Sequence, residues 1–149
     1  MSAGRRRMFD EDRALETAMR VFWLKGYVGT SLSDLTAALG INKPSLYAAF
    51  GNKEQLFASA LTRYGSRYGV PHAEHLLEPS GAALRDRLRN YLSSVAHMLT
   101  DPSLPGGCLI AQCSYEAGGG NLPEGAARTL TGLRQETRRL LAEVFKQEQ

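Results

Sequence analysis

The stretch INKPSLYAAFGNKEQLF, residues 41–57, constrains the fold more than any other part of this chain, because it holds Pro44 and the pair Gly51-Asn52 within one apolar-periodic run. Asn42 is a good N-cap, and Lys43 and Pro44 then fall in a first turn, where a missing N–H costs nothing. Pro44 therefore starts a helix. Gly51 ends it, and Asn52 caps the next one, with Gln55 in capping-box position and Leu56, Phe57, Ala60, Leu61 and Tyr64 as an apolar stripe. The helix inside residues 41–50 is barely two turns long and cannot hold in water without tertiary packing. Leu46 and Phe50, four apart, are its expected anchors, each contributing about 1.5–3 kcal/mol if fully buried. The other face, Lys43, Pro44, Ser45, Tyr47, Ala48 and Ala49, is small and can approach another surface closely.

The same punctuation divides the rest of the chain into helices. Leu15, Ala18, Met19 and Phe22 predict a helix over 10–25, with acids at its positive end and Gly26 as its stop. Ser31 caps a second helix through Leu32, Leu35, Ala38 and Leu39, with Asp34 as the capping-box carboxylate and Gly40 at its end. Gly69, Pro71, His72, His75, Pro79 and Gly81 read as a polar connection. Beyond it, Leu84, Leu88, Tyr91, Leu92, Val95 and Leu99 predict a helix over 82–100. Further helices are expected over 108–117 and 124–147, the last through Leu130, Leu133, Leu140, Leu141 and Val144. No strand pattern or internal repeat is present, so the expected fold class is all-α.

Composition narrows the function. With 149 residues and 43% apolar content the chain can bury a core, and no run approaches the roughly 20 apolar residues of a membrane span. A cytoplasmic protein is expected, with no membrane partner and no cofactor. Cys108 and Cys113 form no zinc-type pair, His72 and His75 read as solvated loop residues and His97 suggests no site, so no metal site is expected. No catalytic constellation appears, which argues against an enzyme. Residues 1–68 carry ten Lys and Arg against six Asp and Glu, whereas residues 69–149 carry eight against nine. A basic N-terminal part suits a polyanion partner.

A capped helix, a turn at Gly40 and a short second helix make a helix-turn-helix pattern over 31–50. That pattern fits DNA reading, and it also fits a protein-interaction module without specific DNA binding. TSLSDLTAALGINKPSLYAAFGNKEQLF, preceded by ALETAMRVFWLKGY, resembles the DNA-binding domain of the TetR (tetracycline repressor) family of bacterial regulators over about residues 8–65. GGCLIAQCSYEAG is more loosely similar to a helix in the ligand-binding half of one branch of that family.

The resemblance implies a flexible arm over 1–8, a three-helix DNA-binding domain over 9–66 and a helical regulatory and dimerisation domain over 67–149. It implies a sequence-specific transcriptional regulator, a repressor released by an unidentified small-molecule effector, binding a palindromic double-stranded operator as a homodimer. Lys43, Pro44, Ser45, Tyr47 and Ala48 are the implied groove-facing residues, with Ser33 near base edges and Thr30, Ser31 and Lys53 gripping the backbone. The chemistry suits those roles: Lys43 and Ser45 can bond base edges or phosphates, Pro44 and Ala48 can meet a thymine methyl, and the Tyr47 hydroxyl can donate to a phosphate. Arg5, Arg6 and Arg7 can enter the minor groove as an arm.

Members of the family continue for about two helices beyond the point where this sequence stops, and those helices usually build the four-helix bundle of the dimer. The sequence is thus expected to be naturally short or truncated. Cys108 and Cys113 are candidate thiol sensors, but five residues on one helix rise about 7.5 Å and diverge by about 140°, which excludes an intrahelical disulfide without unwinding.

Overall fold

The computed structural model describes residues 10–77 and 81–147. Those residues form helices α1 (Glu11–Lys25), α2 (Leu32–Leu39), α3 (Lys43–Phe50) and α4 (Lys53–Tyr64), then a π turn (Gly65–Gly69), α5 (Val70–Leu77), α6 (Leu84–Thr100), α7 (Leu109–Gly118) and α8 (Glu124–Lys146). The class is all-α, with an N-terminal helix-turn-helix followed by further helices.

Side-chain caps set the starts of the first four helices. Asp10, Ser31, Asn42 and Asn52 accept from the backbone N–H groups of Arg13, Asp34, Ser45 and Gln55, respectively. Asp34 and Gln55 return the bond to their cap residues, completing two capping boxes. Gly26, Gly40 and Gly51 all adopt positive φ where a helix ends. At Gly51, with φ 73° and ψ −133°, the backbone lies where side-chain-bearing residues are strained.

α1 and α4 pack along each other and carry the other two short helices. Phe22 and Phe57 meet edge to face at 4.8 Å, and Leu35 of α2 and Leu46 of α3 are fully buried in the same core. Phe50, the second expected anchor of α3, is half-buried against that core. Outside the core, Arg63 of α4 bonds both oxygens of Asp12 at 2.5 and 3.0 Å and Glu16 at 2.9 Å, cross-linking α4 to α1. The core continues into later helices through Leu109 and Cys113 of α7 and Ala126 and Leu130 of α8. Trp23 ties the two parts further, meeting Tyr64 and Tyr68 edge-on and donating to the Gly107 carbonyl at 3.2 Å.

Two expectations need correction. Gly69–Leu77 is not a connection: the chain turns through the π segment and continues as α5. A proline inside a regular helix leaves the carbonyl four residues earlier without its donor. Here the ladder widens just before Pro71, and the Val70 N–H reaches back five residues to the Gly65 carbonyl, so the helix continues past the proline. Gly65 is also where α8 crosses closely, since a Cβ there would lie 2.8 Å from Leu133 Cδ2.

His72, in consequence, is not a solvated loop residue. It is half-buried on α5, its Nδ1 lies 2.6 Å from Ser94 Oγ on α6, and burial pushes its pKa down. On α6 the apolar stripe exists but is only partly covered: Leu92 is 62% exposed, and the buried position is Arg87, whose guanidinium donates to the Leu76 carbonyl near the end of α5.

Candidate nucleic-acid interface

The exposed surface of α3 is built by its short length. Leu46 faces inward, while Lys43, Pro44, Ser45, Tyr47 and Ala48 are all exposed on the outer side, and the helix carries no carboxylate. Tyr47 keeps 45% of its surface in solvent. Ser33 of α2 is exposed, with its carbonyl accepting from the Thr36 hydroxyl at 3.2 Å.

Ser31 stands exposed at the N-terminus of α2, where its hydroxyl donates to Asp34 at 2.7 Å and accepts from the Asp34 amide at 3.0 Å. The Lys25 ammonium, 2.6 Å from Asp34, together with the Ser31 bonds, holds that carboxyl far below its ordinary range. Thr30 is buried, and its hydroxyl donates to the Gly26 carbonyl at 2.6 Å. Its place in the fold is to close the turn that delivers Ser31.

Lys53 opens α4, and its ammonium sits 4.1 Å from the centre of the Tyr27 ring. Burial pushes the Lys53 pKa down, and the Glu116 charge acts against that shift. Tyr27 packs on Phe57, with ring centres 4.9 Å apart. The backbone of this turn is gripped from α7: Glu116 accepts the Tyr27 N–H at 3.0 Å on one carboxylate oxygen and the Val28 N–H at 3.1 Å on the other. Gln112, with its amide nitrogen toward Trp23, donates to the Trp23 carbonyl at 3.0 Å and accepts from Gly26 at 3.2 Å. A second carboxylate contact runs in the opposite sense, from the Gly125 N–H at the start of α8 to Glu54 of α4, at 3.0 Å.

Residues 14–60 match the family described as bacterial regulatory proteins, tetR family. The solved structure of the TetR family transcriptional regulator CifR, a cysteine mutant complexed with 26 bp double-strand operator DNA, is 38% identical, with a TM-score of 0.81 over 97% of this chain and 73% of that one. This chain belongs to the TetR family.

Members of this family of regulators are not enzymes. Among curated relatives, the HTH-type transcriptional repressor ComR of Escherichia coli K12 is 40% identical over 114 residues, covering 76% of this chain and 54% of that protein. BdcR, a repressor of the same organism, is 40% identical over 88 residues, covering 58% of this chain and 45% of its own length. The chain thus spans about half the length of these curated relatives. The reduced form of E. coli NemR shares the fold, with a TM-score of 0.79 at 23% identity, covering 92% of this chain and 69% of that one.

Of the residues implied by the TetR resemblance, the structure brings Lys43, Pro44, Ser45, Tyr47 and Ala48 onto one exposed face, with Ser31 exposed at the start of α2 and Lys53 half-buried at the start of α4. Arg5, Arg6 and Arg7 lie outside the described residues. Cys113 is buried, and burial, with the nearby Glu116 charge, pushes its thiol pKa up to about 12, whereas Cys108 is half-buried and lies 3.6 Å from the Tyr64 hydroxyl. Among the described residues no helix is long and apolar enough to cross a membrane, and no cluster of three metal-ligating side chains occurs. Sequence reasoning missed Tyr27 and Glu116 as working residues. The signal for Glu116 was a single acid in a largely apolar helix, and for Tyr27 an aromatic directly after a helix-ending glycine.

Proposed function

We propose that this chain is a sequence-specific DNA-binding transcriptional regulator whose α3 enters the major groove. The observation that carries this reading is the exposed, carboxylate-free face of α3, held rigid by buried Leu46 and by caps at both flanking turns. The likeness to CifR, solved on operator DNA, supports the same reading. Lys43, Ser45 and Tyr47 supply the polar contacts, Pro44 and Ala48 the apolar ones, and Ser33 a contact near base edges. Thr30 braces the turn while Ser31 and Lys53 grip phosphates beside the groove, and the Arg5–Arg7 arm adds minor-groove charge.

Residues 9–66 form the reading unit and residues 67–149 the regulatory part. ComR and BdcR are named repressors, which supports repression as the output. The working form is a homodimer on a palindromic operator in the bacterial cytoplasm, with two reading helices spaced for successive major grooves about 34–36 Å apart. A small-molecule effector releases it by moving α4, the helix that joins the two parts, and must bind the DNA-incompetent arrangement more tightly to do so.

Selection of bound sequences from a random duplex library tests the reading. Enrichment of a symmetric motif, with affinity that falls steeply with salt, is expected. Recovery of no motif, with salt-independent retention, would leave α3 as a protein-docking face instead. Sedimentation analysis of the chain with and without the selected duplex measures the expected dimer.

A further inference from the structure

We propose that Glu116 is a positioning residue for DNA binding: from α7 it fixes the Gly26–Val28 turn so that the Tyr27 ring holds the Lys53 ammonium at the N-terminus of α4, ready for a phosphate. The inference rests on the DNA-reading assignment above and adds to it a contribution from outside the helix-turn-helix.

A lysine in the first turn of a helix stands at the end whose dipole repels it, and its four-carbon stem is free to wander. Lys53 occupies such a position, yet the residue is half-buried and its ammonium is localised 4.1 Å from the centre of the Tyr27 ring. The ring face attracts a cation, which offsets the dipole. The Tyr27 ring can serve only if its backbone is fixed, and the turn follows Gly26, which leaves α1 at φ 73°. The amides of Tyr27 and Val28 are freed by that helix end, and both donate to Glu116, one to each oxygen. Such charge-assisted pairs are short and directional. Gly26 makes the approach possible, since a Cβ there would lie 3.2 Å from the Glu116 carboxyl carbon. Phe57 supports the ring through α4, so the Lys53 platform is clamped between α4 and α7.

The sign of the effect separates positioning from simple charge. Glu116 is an anion near a cation that faces DNA, so removing it as a charge alone should tighten binding to a polyanion. Positioning requires the reverse. The test uses the full chain and a generic B-form duplex, because a phosphate contact does not depend on sequence. Glu116→Ala should weaken binding by about three- to tenfold, a size typical of coupled neighbours. It should also reduce the salt slope by up to about one, the share of one phosphate contact. In a Lys53→Ala background the same change should have no further effect, and Glu116→Gln, which keeps one acceptor, should recover part of the loss.

Without DNA, the Lys53 side-chain methylene resonances should carry an upfield ring-current shift that collapses in Glu116→Ala while the melting curve stays cooperative. Tighter or unchanged binding, additive losses in the double variant, or an unaltered Lys53 shift would each overturn the proposal. If the wild-type chain shows no duplex affinity, the DNA-reading assignment fails, and the Lys53 shift alone decides whether Glu116 places that side chain.

Discussion

Replacing Gly51 by alanine tests whether the junction between α3 and α4 is set by backbone geometry and capping. At φ 73° and ψ −133°, a residue with a side chain is strained by about 1–3 kcal/mol. A Cβ at position 51 would also lie 2.8 Å from Gln55 Cδ and collide with Gln55 Oε1, the atom that accepts the Asn52 N–H at 2.9 Å. Gln55 is flexible and will swing away, so the collision itself is cheap, but one half of the capping box is then lost, at about 1 kcal/mol. The unfolded chain gives back about 0.4–1 kcal/mol, because alanine there has fewer conformations than glycine. The net expectation is a loss of about 2 kcal/mol.

Gly40 provides the control. It ends α2 at φ 66° and ψ 32°, ordinary left-handed geometry, with no atom within 4 Å of a Cβ. Gly40→Ala should cost about 1 kcal/mol or less after the same unfolded-state correction. Urea unfolding midpoints at constant slope give both values. In a Gln55→Ala background the cost of Gly51→Ala should fall by about 1 kcal/mol, because the capping bond is already gone. Equal costs at Gly40 and Gly51, or a Gly51 cost unaffected by Gln55, would refute this account of the junction.

Other expectations concern the rest of the frame. Leu46→Ala removes the fully buried anchor of an eight-residue helix and should cost about 2–5 kcal/mol, with α3 amides exchanging hydrogen faster than those of α4. Asp34 is held below its ordinary value of 3.8 by Lys25 first and by Ser31 next, so its stabilising effect is complete above that value and is lost as pH falls through the lower folded one. Asp34→Asn should therefore melt earlier than wild type at pH 7, with the gap closing below about pH 4; a constant gap would contradict the assignment. Iodoacetamide at pH 8 should label Cys108 in the folded chain and leave Cys113 unmodified, since a thiol with a pKa near 12 is ionised only about one part in ten thousand there. Equal labelling at both would show that α7 opens.

Much of the frame was legible because caps and glycine stops act over three or four residues. Ser31, Asn42 and Asn52 could be assigned from spacing alone, and Leu46, Leu56, Phe57 and Tyr64 from helical period. The helical course of Gly69–Leu77 was not legible, since glycine and proline locally signal a break and a widened helical turn overrides that signal. The α6 stripe shows the limit of periodicity, which says that a face is apolar but not how far it is covered. In the candidate site, the exposed face of α3 could be read from the short segment itself. The Tyr27–Lys53 platform and the Glu116 grip could not, because the bonds to Tyr27 and Val28 join residues 89 and 88 positions apart, and a lone acid or an aromatic after a glycine does not say what it will meet.

The grip of Glu116 falls on main-chain amides, and this shapes how the chain can drift over generations. A bond to a peptide N–H is indifferent to the side chain beside it, so Val28, largely exposed, can be exchanged for almost any residue without touching the joint. Proline is the exception, because it alone arrives without that hydrogen. This joint thus depends on Glu116 at one end and, beyond the glycine at position 26 that lets the carboxylate approach, on almost no side chain at the other.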